Sequence, residues 1–215
     1  MNKYLTLTLF DWDDTLFPTT WLIQNNIDLL DKVMQNKYIV MFSRLDNLLH
    51  RLLLSFSNNA KIIIVTNATS KWIDIALDML PNTKQLIKKK RIPIISARDH
   101  YQDKYPNNID MWKQLMFKTI TSNYFKSHKL QNIISIGDAE YEFKALVDLY
   151  NEHAVVKNKL LKTVKFVKEP TFELLIDQLE VLGKCHFKII NDKKHMDLQF
   201  NLNNLRARRS SSVSS

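Results

Sequence analysis

The chain of 215 residues contains one cysteine, Cys185. An internal disulfide is therefore excluded, and this sparing use of thiols fits a reducing compartment. No Cys/His pairing pattern surrounds Cys185, so it reads as a bystander thiol. No apolar run approaches the roughly 20 residues that span a bilayer, and a membrane partner is not expected. The first residues do not resemble a secretory leader. Their apolar segment is short, lacks a small-residue cleavage site and runs straight into Asp11. Basic and aromatic residues are not interleaved as a stripe, so nucleic acid is not an expected partner. The cytoplasm is the expected location, with the nucleus an open alternative. There is no internal repeat.

What is present is enough apolar residue, 45%, to give one domain a full core. The net charge is +9, and the last 32 residues, Lys184 to Ser215, carry +5 of it. The modest positive field of the remainder would help attract a phosphorylated or otherwise anionic partner. A Lys- and Asn-rich composition is the bland alternative.

Short apolar runs bounded by polar residues predict strands at Tyr4–Phe10, Lys61–Val65, Ile92–Ser96, Asn132–Ile136, His153–Lys157 and Val164–Val167. Apolar residues recurring every three or four positions predict helices over Thr20–Met34, Tyr38–Phe56, Thr69–Leu80, Asp110–Phe125, Glu140–Tyr150 and Pro170–Leu182. Pro81-Asn82 ends the third of these, and Pro170 falls in the first turn of the last. Alternating strands and helices argue an α/β domain over residues 1–183, with a parallel sheet covered by helices. The near-continuous Ile/Val runs suit strands buried on both faces. Beyond it, Cys185–Ile190 and His195–Phe200 alternate around Asn191-Asp192-Lys193-Lys194, so residues 184–205 are expected to form a hairpin extension. Residues 206–215, Arg- and Ser-rich, read as a disordered tail. Arg208-Arg209-Ser210-Ser211 has the form of a basophilic kinase site, a pattern that chance supplies often.

In open parallel sheets, ligands bind at the carboxyl ends of the strands. The residues there are unusual. Leu7-Thr8-Leu9-Phe10 runs into Asp11-Trp12-Asp13-Asp14-Thr15, three carboxylates within four residues. Like charges packed so closely repel, and a hard cation among them would relieve the repulsion. Ile62-Ile63-Ile64-Val65 ends in Thr66-Asn67. Ile133-Ile134-Ser135-Ile136 ends in Gly137-Asp138, with Glu142 four residues on. Between these, Lys113 lies near the start of a predicted helix. A turn with an Asp helix cap is the plain reading of the first cluster.

Four motifs in this order, each tied to a strand end or helix start, resemble the haloacid dehalogenase (HAD) superfamily. Asp11-x-Asp13-x-Thr15 resembles its first motif, Thr66 the second, Lys113 the third and Gly137-Asp138…Glu142 the fourth. The string Asp-Trp-Asp-Asp-Thr-Leu-Phe-Pro is similar to uncharacterised members from protists and plants. Two departures stand out. Asp14 occupies a position often held by Gly, and Glu142 stands where Asp is common. The resemblance implies a Rossmann-like sheet and an Mg²⁺-dependent phosphatase acting on phosphomonoesters. It makes Asp11 the nucleophile and a metal ligand, and Asp13 the general acid/base with a metal-binding backbone carbonyl. Asp138 becomes the other metal carboxylate, with Glu142 and Thr15 one layer further out. Thr66, Asn67 and Lys113 would hold the phosphoryl group.

Each assignment has a plainer counterpart. Thr66 and Asp138 could each cap a helix, and Lys104 or Lys118 could stand in for Lys113. Trp12 and Trp21 read as core before substrate contacts, and Trp72 and Trp112 as packing residues. An EF-hand starting at Asp11 fails on Leu16 and Leu22, where it needs Gly and Glu. A receiver domain fails on Thr66, where it needs its phosphoacceptor Asp. The gaps between motifs leave room for only a minimal cap. Family members with little cap leave the site open and often act on large substrates, so the resemblance implies a phosphorylated substrate, either a small molecule or a phosphoprotein. The competing function is a catalytically weak module of this fold that binds a phosphorylated partner. Oligomeric state and physiological substrate are not legible.

Overall fold

The structure, a computed structural model, describes residues 6–127, 130–152 and 159–201. In chain order the elements are β1 (Thr6–Phe10), α1 (Thr19–Gln24), α2 (Lys32–Asn59), β2 (Lys61–Thr66), α3 (Ser70–Asp78) and α4 (Pro81–Lys90). They continue with β3 (Ile94–Ser96), α5 (Ala97–Tyr101), α6 (Ile109–Ser127), β4 (Asn132–Gly137), α7 (Glu140–Glu152), β5 (Leu160–Lys165), α8 (Phe172–Asn191) and β6 (Met196–Gln199). The six strands form one all-parallel sheet in the order β3-β2-β1-β4-β5-β6, a Rossmann-like arrangement. Among the described residues, no domain is inserted between the strands. No helix among the described residues is long and apolar enough to cross a membrane.

The continuous apolar runs have the expected cause. Alternate residues of each inner strand enter opposite cores. Phe10, Ile62, Ile64, Ile134 and Ile136 join the core under α2, α3, α4 and α8. Leu7, Leu9, Ile63, Val65 and Ile133 join the one under α5, α6 and α7. The sheet order reverses direction between β1 and β4, where Phe10 lies beside Ile136. Chains leaving these two strands diverge, and a crevice opens at their carboxyl ends.

Several boundaries differ from the sequence expectation. The predicted Thr20–Met34 helix is broken after Gln24. Asn26 adopts a left-handed conformation, φ 51°, which ends a helix, and Asp31 caps a new one by accepting from Val33 N at 2.8 Å. The new helix, α2, absorbs the predicted Tyr38–Phe56 helix and runs for 28 residues. Pro81 both follows α3 and opens α4 as its first residue, the one helical position where a missing N–H is harmless. The cap of α4 comes from another element. Buried Asp46 of α2 accepts from Asn82 N at 2.9 Å and Thr83 N at 2.7 Å. Helix α8 begins at Phe172, past Pro170, and Thr171 caps it, its hydroxyl accepting from Leu174 N. The predicted strand His153–Lys157 and the tail 206–215 fall outside the described residues.

The expected hairpin is overturned. Cys185–Ile190 is helical and continues α8, because Leu182, Ile189 and Ile190 also satisfy a helical spacing and are buried. The following segment returns as β6 and adds parallel to β5, which a hairpin cannot do. Lys162 of β5 fixes the end of α8. Its fully buried ammonium donates to Ile189 O at 2.7 Å, Ile190 O at 3.3 Å and Asp192 O at 2.6 Å. A cation here also opposes the negative end of the helix dipole. Lys162→Met keeps the stem and leaves these buried acceptors without their donor. Each such loss costs about 1–3 kcal/mol. The variant should therefore lose about 2–4 kcal/mol in urea unfolding, and an unchanged midpoint would refute this capping role.

Candidate active site

The crevice between β1 and β4 is where the predicted residues meet. Asp11 follows β1, and its N–H donates to Ile136 O at 2.8 Å, which keeps β1 and β4 paired up to the acid itself. Asp138 follows β4 by one residue. Glu142 lies in the first turn of α7 and reaches back to accept from Ala139 N at 3.1 Å, the returning arm of a capping box. Its side chain crosses Gly137 so closely that a Cβ there would lie 2.6 Å from Glu142 Cγ. Glycine is needed at 137 to leave that space. Carboxylate oxygens of Asp11, Asp138 and Glu142 all lie within 4.8 Å of one another.

One cation stands against these three acids. Lys113 of α6, fully buried, places Nζ 2.6 Å from Asp11 Oδ1 and also bonds Glu142 Oε1. It sits over the Tyr141 ring, 4.7 Å from the centroid. Lys118, five residues along the same helix, projects in a different direction at 100° per residue. Lys104 lies over the Tyr105 ring. Of the three lysines, Lys113 is the one paired with Asp11.

Asp13 faces a different set of groups. Its Oδ1 accepts from Trp72 Nε1 at 3.1 Å and from the Thr19 hydroxyl, and its Oδ2 accepts from Thr66 Oγ1 at 3.3 Å. Its carboxylate is not part of the three-acid cluster, whereas Glu142, expected one layer out, is. The capping alternatives resolve one by one. Thr69, not Thr66, caps α3. Asp14 performs the capping that the plain reading proposed for the acidic turn. It accepts from Thr20 N at 2.9 Å and from the Thr20 hydroxyl at the start of α1. It does so from a left-handed backbone, φ 55°, which explains how it occupies a position suited to glycine.

Thr15 and Asn67 lie nearby with buried polar atoms, Thr15 Oγ1 and both amide atoms of Asn67, that find no hydrogen-bond partner among the described residues. Trp12 stacks on Phe17 at 5.7 Å in the core. Trp21 packs on Tyr38 and Phe172, and Trp112 is buried with its Nε1 donating to Tyr105 O. Trp72 is more than packing, because its indole N–H holds Asp13. Sequence reading missed that role, as well as those of Thr19 and Tyr141. The one available signal was that Thr19 and Trp72 lie in the first turns of the helices that follow β1 and β2.

Electrostatics supports a cation among the acids. Burial pushes Asp11 above the usual carboxylate range, with Lys113 opposing and Asp13 adding to the rise. Burial, with the Asp11 and Asp14 charges, pushes Asp138 up to about 7. Burial pushes Glu142 up to about 8 against the pull of Lys113. Three buried acids facing one lysine thus resist ionisation, and a further positive charge among them would favour their charged forms. Hard oxygen donors at this spacing suit a hard divalent cation, whose oxygen ligands lie about 2.0–2.6 Å from it. The residues present therefore fit a metal ion, with Asp11, Asp138 and Glu142 as the carboxylates that would hold it. The chain finds no match among known protein families, curated proteins or solved structures.

The pH dependence of metal binding has a definite sign. A carboxyl whose folded pKa is raised favours the fold when protonated, and that contribution fades as pH climbs through the folded value. A divalent cation needs the same groups deprotonated. The rise in Tm on adding millimolar Mg²⁺ or Mn²⁺ should therefore be larger at about pH 8 than at about pH 5.5. Asp138→Asn should remove the difference. An equal rise at both pH values, or none at either, would contradict a metal at this cluster.

Proposed function

We propose that the protein is an Mg²⁺-dependent phosphatase of the HAD type that hydrolyses phosphomonoesters through an aspartyl-phosphate. The observation that carries this reading is Asp11. It is a buried carboxylate at the switch point of a parallel sheet, paired with Lys113 and sharing one cluster with a second strand-end acid, Asp138. A phosphate ester resists attack because its oxygens are anionic, so a catalyst must neutralise them and align the nucleophile.

In the proposed reaction an Asp11 oxygen attacks phosphorus, and the bond from phosphorus to the ester oxygen breaks. Asp13 gives its proton to the departing oxygen. Asp13 then takes a proton from water as that water attacks phosphorus, which releases inorganic phosphate and restores Asp11. Thr19, Thr66 and Trp72 orient Asp13 for both transfers. Lys113 and the Thr66 hydroxyl would hold the phosphoryl oxygens, with Asn67 contributing its buried, unpartnered amide. Asp11, Asp138 and Glu142, together with the Asp13 carbonyl, would hold the cation. When bound it supplies the positive charge that screens nucleophile from substrate.

Steady-state hydrolysis of a panel of phosphomonoesters and phosphopeptides tests this reading, with circular dichroism as the folding control. Asp11→Asn should abolish turnover, because an amide is a poor nucleophile. Asp13→Asn should lower kcat about 10²–10⁴-fold, the usual worth of a general acid/base. Chelation should silence the wild type. Full activity in folded Asp11→Asn would rule out the aspartyl-phosphate route. Tight binding without turnover across the panel would favour the binding-module reading.

A further inference from the structure

A cavity of about 580 Å³ opens at the carboxyl ends of β5 and β6, lined by Lys165, Phe166, Val167, Lys168, Gln199, Phe200 and Asn201. Its size is that of a small-molecule site. Its β5 wall adjoins the end of β4, the strand that leads into the acidic cluster: Lys165 is in register with Gly137, and Phe166 N donates to Gly137 O at 2.8 Å. One strand spacing, about 4.8 Å, separates β5 from β4, and a second leads to β6. The walls are fixed from behind. Phe166 packs edge-on against Phe200 at 4.9 Å. Buried Gln178 of α8 accepts from Val167 N at 2.6 Å.

The two lysines differ. Lys165 is engaged by Glu140. Lys168, exposed at the cavity edge, enters no ion pair or hydrogen bond among the described residues. We propose that this cavity takes the leaving-group half of a small phosphomonoester, and that this half carries a second anionic group held by Lys168. The inference rests on the phosphatase reading and narrows its substrate class. With no domain inserted over the crevice among the described residues, the β5–β6 edge supplies the wall that discriminates leaving groups. The aromatic pair offers an apolar floor for the carbon skeleton. Because β5 and β6 lie one and two strand spacings from β4, a short chain between phosphoryl group and second anion suits this placement.

Equilibrium titration with two stable phosphonates in the presence of Mg²⁺ tests it on the full chain. Phosphonobutyrate carries a carboxylate at the far end of its chain, and butylphosphonate lacks it. The wild type should bind phosphonobutyrate about tenfold more tightly, the worth of one charge-assisted hydrogen bond. Lys168→Ala should erase that margin and leave butylphosphonate affinity unchanged. Lys168→Arg should retain it. Equal affinities in the wild type, no binding of either compound, or a margin that survives Lys168→Ala would overturn the proposal. A Lys168-dependent margin with no hydrolysis of any ester would support the anion site while refuting the phosphatase reading.

Discussion

The ammonium of Lys113, sealed between Asp11 and Glu142, is the interaction on which the centre of this molecule depends. A buried charge deprived of its partner costs about 3–5 kcal/mol, so none of the three can be considered alone. The triad fixes the approach of α6 to the sheet, because Lys113 must reach the end of β1. It fixes the start of α7, because the second oxygen of Glu142 receives Ala139 N. It also dictates glycine at the end of β4, where the Glu142 side chain occupies the space of a Cβ. Two helices and the two central strands thus converge on one set of charges. That set is unbalanced, since Asp138 adds a third acid and Lys113 is the one base against all three among the described residues. The imbalance is the physical reason the cluster could hold a cation.

Much of this was readable because strand ends are readable. Apolar β-branched runs that stop at Asp11, Thr66 and Asp138 announce both the strand and the edge at which it ends. In a parallel sheet those edges lie together whatever the helices do. The misread segments share a different property, since their apolar spacing fits more than one structure. Ile23, Ile27, Leu30 and Met34 keep a helical rhythm straight across the break at Asn26, where a single left-handed residue decides. Cys185–Ile190 satisfies both a two-residue and a three-to-four-residue period, and burial of Ile189 and Ile190 selects the helix. Other contacts that set the helix ends are remote in sequence. Asp46 caps α4 from another helix, and Lys162 closes α8 from a neighbouring strand. No local pattern contains them. The indole donor from Trp72 to Asp13 is hidden for the same reason.

The three aspartates after β1 illustrate how neighbouring identical residues come to do different work. Asp11 continues the strand direction and meets α6 and α7, where burial and a lysine await it. Two residues on, Asp13 meets α1 and α3, where a hydroxyl and an indole hold it beside Thr66. Asp14 turns left-handed and caps α1. The capping reading of this acidic run therefore holds for Asp14, while Asp11 stands in the buried three-acid cluster. The capping also bears on Asp13. By anchoring α1, Asp14 sets the position of Thr19, and Thr19 bonds Asp13. A glycine at 14 would adopt the same turn with less strain but would leave α1 without its cap. The residue that departs from the expected pattern is thus one that helps orient the acid/base candidate. It does so through a six-residue helix whose own backbone start, Pro18, offers no side-chain cap.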